Sequence, residues 1–322
     1  MILRDAHTSG RPVLTRRACL GLLVGALGAT GAACRQAPAS ASTPRTVTFT
    51  IHPLQHARMG NQIKAVIEQA VPGLTVTLHD AERGLDYVNA LQEGTADFAF
   101  VSADVAYLSF AGQLGGPPAD RLRGVAVLDT TPIYFIVPAD SPVREPADLR
   151  DLRVSVGVQQ SISAITSGIL LDGLQVPIHA VYEPFTAGLP ALARGERDAV
   201  IIVASYPVDA IQAALRQGQR LVSLTEPAVD RIHDGHPFLR PVVIPAGIYG
   251  DQRVLSVGPD RVFVCRDGLD ADLVYEVTRA FFTGLPTLAQ VDGPLRQMNV
   301  EESSATPLPL HPGAARYFRE QE

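Results

Sequence analysis

The feature that most constrains the fold is a regular alternation of strand-like and helix-like segments from residue 47 onward. Short apolar runs are followed by stretches whose apolar residues recur at helical spacing, with glycine and proline between them. The first run comprises strands at 47–51, 74–80 and 97–102 and helices at 60–70, 84–94 and 104–112. Because strands joined by helices pair in parallel, we expect an α/β sheet with right-handed crossovers.

A second run repeats this pattern. Strands are predicted at 154–158 and 178–183, a helix at 162–174, and a helix followed by a strand over 189–204. The segments LQEGTADFAF (91–100) and LARGERDAVI (192–201) share leucine, glycine and aspartate at the same offsets. In each, a helix is expected to end at the glycine and the aspartate to lead into a buried strand. This shared pattern indicates two similar α/β lobes.

The N-terminus is typical of an exported protein. Residues 1–17 carry four arginines against one acid, and residues 18–33 carry no charge. This uncharged stretch is shorter than the roughly 20 residues that span a bilayer, so we predict a secretory signal peptide over 1–34 rather than a permanent anchor. Arg16 and Arg17 resemble a twin-arginine export motif; an ordinary signal with adjacent arginines is the alternative.

Cys34 is predicted to carry a lipid. GAAC at 31–34 is similar to a lipobox, in which the cysteine is acylated and becomes the mature N-terminus, although leucine is commonest where Gly31 stands. Cleavage after Ala39, in the A-x-A match 37–39, is the alternative and would release an unanchored protein. Cys265 lies in an apolar strand-like run and is expected to be a small buried residue.

Residues 35–45 are rich in proline, alanine and serine and are predicted to be a flexible tether. The net charge of the chain is −6, and nothing suggests the basic face that nucleic acids require. The sequence contains no G-x-S-x-G, no P-loop and no H-E-x-x-H, so we predict neither an enzyme nor a cofactor. The location predicted from the signal is extracytoplasmic, in the periplasm or on the outer face of the cytoplasmic membrane.

Ligands of open α/β sheets lie beyond the carboxyl ends of the strands, often against helix N-termini. This rule selects four loops: 52–60, 102–104, 159–163 and 205–207. The loop 159–163 presents amide and hydroxyl groups beside free backbone N–H groups, which suits a carboxylate or a phosphate. The candidate ligand-binding residues on the last three loops are Ser102, Asp104, Gln159, Gln160, Ser161, Ser163 and Tyr206.

Several segments resemble the TAXI-type solute receptors of TRAP transporters. They are FVSADVAY (100–107), PADSPVREPADLRDLRVSVG (138–157), VASYPVDAIQ (203–212), VIPAGIY (243–249) and PLHPGAARYFRE (309–320). The resemblance covers nearly all of 46–322. It implies a bilobal periplasmic-binding-protein fold of the type II kind, with lobe I formed by 46–136 and 258–322, lobe II by 137–257, and hinge strands between them.

The resemblance also implies a function: capture of a small, carboxylate-bearing solute between the lobes and its delivery to a TRAP-type membrane permease. A sensor lipoprotein that acts on a membrane kinase is the alternative. In the family the neighbourhood of Tyr206 and Tyr249 lines the cleft, although both side chains could instead pack the lobe interface. Asp104 could equally be only the N-cap of its helix.

The chain departs from the family at two ligand loops. A glycine-rich loop usually follows the first strand; here 51–61 offers His52, Gln55, His56 and Arg58 as candidate ligand-binding residues. Arg58 could form a bidentate pair with a carboxylate or could be a solvated loop charge. The spacing of His52 and His56 would suit a metal on a helix, but Pro53 argues against a helix, so no metal is predicted. Ligand identity therefore does not follow from the family.

Overall fold

The structure, a computed structural model, describes residues 45–51, 57–81 and 83–322. The predicted signal peptide with Cys34, the tether up to residue 44, and the candidates His52, Gln55 and His56 lie outside the described residues. The strands are β1 Arg45–Ile51, β2 Leu74–Asp80, β3 Phe98–Ser102, β4 Leu122–Thr130, β5 Ile133–Pro138, β6 Arg153–Ser155, β7 His179–Val181, β8 Ala199–Val203, β9 Gln219–Leu221, β10 Leu239–Ile244 and β11 Val254–Arg266. The helices are α1 Ala57–Ala70, α2 Gly84–Glu93, α3 Ala103–Phe110, α4 Ile162–Gly173, α5 Phe185–Ala193, α6 Asp209–Arg216, α7 Glu226–Gly235, α8 Ala271–Thr283, α9 Leu285–Val291 and α10 Pro312–Arg319, with 3₁₀ turns at Pro146–Leu149 and Gly293–Gln297.

Two sheets define two lobes. The six-stranded sheet has the order β10-β11-β3-β1-β2, with β4 also paired to β11. The five-stranded sheet has the order β7-β6-β8-β5-β9. The prediction of an α/β fold with two lobes is confirmed. Helices cover both faces of each sheet, which explains why strands such as AVIIV and VFVC are apolar at successive positions.

Side chains that alternate along β11 show this two-sided burial. Phe263 and Cys265 pack with helix α1 and helix α8 on one face, whereas Val262 and Val264 pack with helices α2 and α3 on the other. Burial of the Cys265 thiol raises its pKa above the ordinary range, as expected for a small core residue.

The sheets are mixed, and the parallel pairing predicted for strands joined by helices is confirmed within each sheet. β1 pairs in parallel with β2 and β3, but β11 runs antiparallel to β3 and β4, and β5 runs antiparallel to β8 and β9. The reason is connectivity. β5 follows β4 after two residues and β11 follows β10, so neither strand is preceded by the crossover helix that parallel pairing needs.

Two connections join the lobes. β4 ends at Thr130 and β5 begins at Ile133, so only two residues separate the two sheets there. β11 starts beside the second lobe, where the Ser256 hydroxyl donates to the Ile133 carbonyl at 2.5 Å, and ends in the first sheet beside β3.

The segments 91–100 and 192–201, which share the leucine, glycine and aspartate pattern, have the same local structure. Gly94 and Gly195 end α2 and α5 with φ of 77° and 76°, in the left-handed region that favours glycine. Asp97 then accepts a hydrogen bond from the Thr48 N–H at 2.9 Å, and Asp198 accepts one from the Arg153 N–H at 2.8 Å. Each aspartate thus ties the start of its strand to the neighbouring strand.

Several boundaries differ from the prediction, including two in the second lobe. β6 ends at Ser155 rather than at residue 158, because Gly157 turns the chain at φ 91° toward α4. Helix α5 begins at Phe185, four residues before the predicted start, directly after Pro184. Both differences move loop residues toward the cleft between the lobes.

Candidate functional site

A cavity of about 340 Å³ lies between the lobes, and we call it the inner compartment. It lies beyond the carboxyl ends of β3, β6 and β8, where the sequence places the ligand. Residues of both lobes line it: Gly84, Tyr87, Phe100, Val101, Ser102, Thr131 and Arg261 from the first, and Gly157, Val158, Ser161, Ile162, Ser163, Pro184, Phe185, Thr186, Val203, Ala204 and Ser205 from the second.

Four helices begin at this cavity. Gly84 opens α2, Ser102 is the N-cap of α3, Ser161 is the N-cap of α4, and Phe185 opens α5. The first N–H groups of a helix have no partner within the helix, and the helix dipole places partial positive charge there. Four such termini at one cavity favour a bound anion.

Serine hydroxyls supply further donors. Ser102 is 4% exposed, and its Oγ has no hydrogen-bond partner among the described residues; the Ser205 Oγ is likewise buried without one. The Ser161 Oγ accepts from the Ala164 N–H at 3.1 Å and the Ser163 Oγ from the Val203 N–H at 2.9 Å. Those two hydroxyls each retain a proton that can be donated to a solute.

Arg261 is the charged residue among the described residues that line this cavity, and it already pairs with two carboxylates. Its guanidinium donates to Asp292 at 2.5 Å and to Asp129, and all three side chains are buried. Only its Nε lacks a partner among the described residues. Burial, together with the nearby Asp292 carboxylate, raises the pKa of Asp129 to about 6 despite the arginine.

A second cavity of about 650 Å³, the outer compartment, adjoins the first. Phe185, Ala204 and Ser205 line both. The outer compartment has a more polar rim, which includes Arg58, Asp209, Gln290, Asp292, Arg296 and Gln297. Arg58, in the first turn of α1, is exposed.

The lobes touch beside the inner compartment. The Thr166 hydroxyl on α4 donates to the Asp104 carboxyl on α3 at 2.6 Å, and Arg83 donates to the Gln160 side chain at 3.1 Å. Burial raises the pKa of Asp104, and the nearby hydroxyls of Ser102 and Thr166 oppose that rise. A Cβ on Gly84 would stand 2.9 Å from the Ile162 side chain, so the two helix starts are in close approach.

The predicted residues therefore lie in different places. Ser102, Ser161 and Ser163 line the inner compartment, and Arg58 and Tyr206 line the outer one. The remaining four candidates with described positions line neither compartment: Asp104, Gln159, Gln160 and Tyr249. The N-cap of α3 is Ser102, so the alternative role of Asp104 as the N-cap was wrong.

Tyr206 and Tyr249 both have internal partners. The Tyr206 hydroxyl accepts from the Gln297 side chain at 2.9 Å. The Tyr249 hydroxyl accepts from the Val208 N–H at 2.7 Å, and its ring packs edge-on against Tyr134. Tyr206 thus contacts the first lobe through Gln297, whereas Tyr249 packs within the core of the second lobe.

Sequence reasoning missed Arg261, Phe185, Tyr87 and Phe100 in the inner compartment. Arg261 had a usable signal, because it directly precedes the apolar run VFVC. A charge placed there needs buried partners. The sequence gives no such signal for the aromatic residues, because the pattern of apolar residues in a helix or strand is the same whether a side chain faces the core or a cleft.

Residues 58–321 match the model of the NMT1-like family, and the chain belongs to that family. The fold is that of periplasmic solute-binding proteins. The periplasmic aliphatic sulphonate binding protein SsuA from Escherichia coli superposes with a TM-score of 0.50 at 17% identity, covering 87% of this chain and 84% of that one. A chain from the glutathione import system of GshT and the cystine ABC importer TcyBC of Streptococcus mutans gives a TM-score of 0.52 at 11% identity, covering 79% of this chain and 96% of that one.

Within residues 45–51, 57–81 and 83–322, no helix is long and apolar enough to cross a membrane.

Proposed function

We propose that this chain is the extracytoplasmic solute-binding subunit of a TRAP-type secondary transporter. It captures a small anionic, carboxylate-bearing metabolite between its lobes and delivers it to a membrane permease. The observation that carries the proposal is the meeting of four helix N-termini and four serine hydroxyls in a cavity between the lobes.

Capture follows from the connections between the lobes. The open protein admits the solute, the segments at 131–132 and the middle of β11 bend, and the lobes close. A solute favours the closed state only through contacts that both lobes make at once. Ser102 from the first lobe and Ser161, Ser163 and Ser205 from the second supply such contacts.

The TRAP assignment rests on the resemblance to TAXI receptors, whose most specific segments are IPAGIY (244–249) and LHPGAARYF (310–318). The solute-binding fold also serves ATP-driven importers, so the energy source is the discriminating property. Reconstitution with its cognate permease should give uptake that needs an ion gradient and not ATP. Uptake that needs ATP would reject the TRAP assignment.

We also propose that the mature protein is held at the outer face of the membrane by a lipid on Cys34. Cells fed a labelled fatty acid should label the protein, and Cys34→Ala should abolish the label. Cleavage after Ala39 would instead give an unlabelled protein that begins at Ser40.

The central test is native mass spectrometry of the purified protein. We expect one small anion per chain, which is released on denaturation and rebinds in calorimetry with 1:1 stoichiometry. A purified protein that holds no solute, binds no member of a panel of organic anions and converts a substrate instead would reject the proposed function.

A further inference from the structure

The walls of the inner compartment are largely apolar. Besides glycine and the hydroxyl-bearing residues, the described lining includes Tyr87, Phe100, Val101, Ile162, Phe185 and Val203. The Tyr87 hydroxyl already donates to the Ala81 carbonyl at 3.3 Å, so this residue presents mainly its ring to neighbours. Phe100 continues the aromatic cluster of the first lobe, with its ring centre 4.9 Å from that of Phe263.

The donors in this cavity suit one oxyanion. They belong to the N-cap residues Ser102 and Ser161, to Ser163 in the first turn of α4, and to Ser205. The buried, unpartnered Ser102 Oγ and Arg261 Nε both lack an acceptor that an oxyanion would provide. Arg261 cannot serve as the counter-ion of a second anionic group, because Asp129 and Asp292 already hold its guanidinium.

We propose that the solute of the inner compartment carries a single oxyanion head, carboxylate or sulfonate, on an uncharged apolar body. This inference rests on the proposed function and names its solute class. A second charge on the body would lie against aromatic and aliphatic side chains without a partner, which is strongly unfavourable. An ammonium group next to the head would meet the positive ends of the helix dipoles, which repel it.

Phe185 sets the length of that body. It is the large side chain among the three residues shared by the two compartments; the other two are Ala204 and Ser205. It therefore lies between the apolar inner compartment and the polar outer one, where its ring can pack against the apolar body of the solute.

The test is calorimetry on the purified protein, freed of bound solute, with probes of six carbons: hexanoate, hexane-1-sulfonate, adipate, norleucine and hexanamide. We expect hexanoate or hexane-1-sulfonate to bind at least about tenfold more tightly than the other three, since each of those adds a charge or lacks the anion. The better of the two monoanions identifies the head group. Equal or tighter binding of adipate, norleucine or hexanamide would overturn the inference, as would failure of both monoanions to bind.

The outcomes separate this inference from the proposed function. If native mass spectrometry finds a bound dianion or amino acid and neither monoanion binds, the solute-binding function holds and the solute class is wrong. If the protein holds no solute, binds no organic anion of the panel and converts a substrate instead, the proposed function itself fails.

Two variants locate the parts of the solute. Ser102→Ala should weaken hexanoate about tenfold and leave hexanamide unchanged, because only the anion needs the hydroxyl. Ser109→Ala is the matched control, since this serine also lies on α3 with a buried, unpartnered Oγ but lines neither compartment. Equal losses in the two variants would overturn the placement of the head.

Chain length tests the apolar body. From acetate to butyrate to hexanoate the affinity should rise roughly fourfold per methylene. Phe185→Ala should flatten this rise while leaving acetate unaffected; Phe238→Ala, at an exposed phenylalanine, should change neither. A length series that is flat in the unmodified protein would overturn the apolar body.

Discussion

The Thr166 hydroxyl donates to the buried Asp104 carboxyl at 2.6 Å, and this hydrogen bond joins α4 of the second lobe to α3 of the first. Asp104 is 3% exposed, and burial raises its pKa. The contact lies beside the inner compartment and exists only when the lobes are together. It is a polar link between the lobes that does not involve the solute.

Thr166→Val should remove this link and lower the free energy of unfolding by about 1–3 kcal/mol, because a buried carboxyl loses a donor. The loss of the donor raises the pKa of Asp104 further. A raised folded-state pKa means that stability is greatest below that pKa and falls as pH rises through it. The loss in Thr166→Val relative to the unmodified protein should therefore grow with pH.

Urea unfolding between pH 4.5 and 8 measures the loss of unfolding free energy in Thr166→Val at each pH. Thr75→Val, on an exposed position of β2, is the matched control. In an Asp104→Asn background, which cannot ionise, the effect of Thr166→Val should no longer depend on pH. A loss that is the same at every pH would show that the ionised Asp104 is not what Thr166 stabilises.

Gly84→Ala should hinder closure of the lobes. The added Cβ would stand 2.9 Å from the Ile162 Cγ1 and 3.1 Å from its backbone nitrogen, so α2 and α4 must move apart. We expect weaker solute binding and a larger radius of gyration by small-angle X-ray scattering. Gly116→Ala is the control, because its Cβ would meet nothing within 4 Å. Unchanged scattering and affinity would mean that the lobes need not approach this closely.

The local structure of both lobes follows from the sequence. The predicted bounds of β2, at 74–80, match the structure, and the shared leucine, glycine and aspartate pattern marks Asp97 and Asp198 as equivalent. These predictions succeed because helical spacing, glycine turns and apolar runs are set by neighbours in sequence.

The contacts that complete the site are long-range. Arg261 is 132 residues from Asp129 and 31 from Asp292, and no local pattern pairs them. Within one loop, Gln159 is exposed while Ser161 lines the cavity, because Gly157 turns the chain and Ser161 caps α4. Residue type alone had suggested both as ligands.

Arg58→Ala distinguishes two positions for the anion. Arg58 lines the outer compartment, so an anion held at the helix N-termini of the inner one should lose less than about threefold in affinity. The association rate should fall mainly at low ionic strength, where distant charges act. Stopped-flow measures the association rate of hexanoate, and calorimetry measures its affinity. Arg319→Ala, at an exposed position of α10, is the control. A loss of tenfold or more would place the anion beside Arg58 in a bidentate pair.

Asp129→Asn should change how stability depends on pH. Burial and the neighbouring Asp292 raise the pKa of Asp129 to about 6, above the ordinary value that it regains on unfolding. The folded state therefore binds the proton of the Asp129 carboxyl more tightly than the unfolded state does. The stabilisation that this proton gives the folded state is full below about pH 4 and is lost as pH rises through 6.

Relative to Asp129→Asn, the unmodified protein should lose on the order of 2 kcal/mol in its free energy of unfolding between pH 4.5 and 7.5. Asparagine can still accept a hydrogen bond from Arg261 but cannot ionise, so the variant lacks the pH-dependent contribution of Asp129 to stability. Urea unfolding without solute across that range gives the two curves, with Asp140→Asn at an exposed position as the control. Parallel curves would mean that Asp129 stays ionised throughout and that the three buried charges carry a net negative charge even in mild acid.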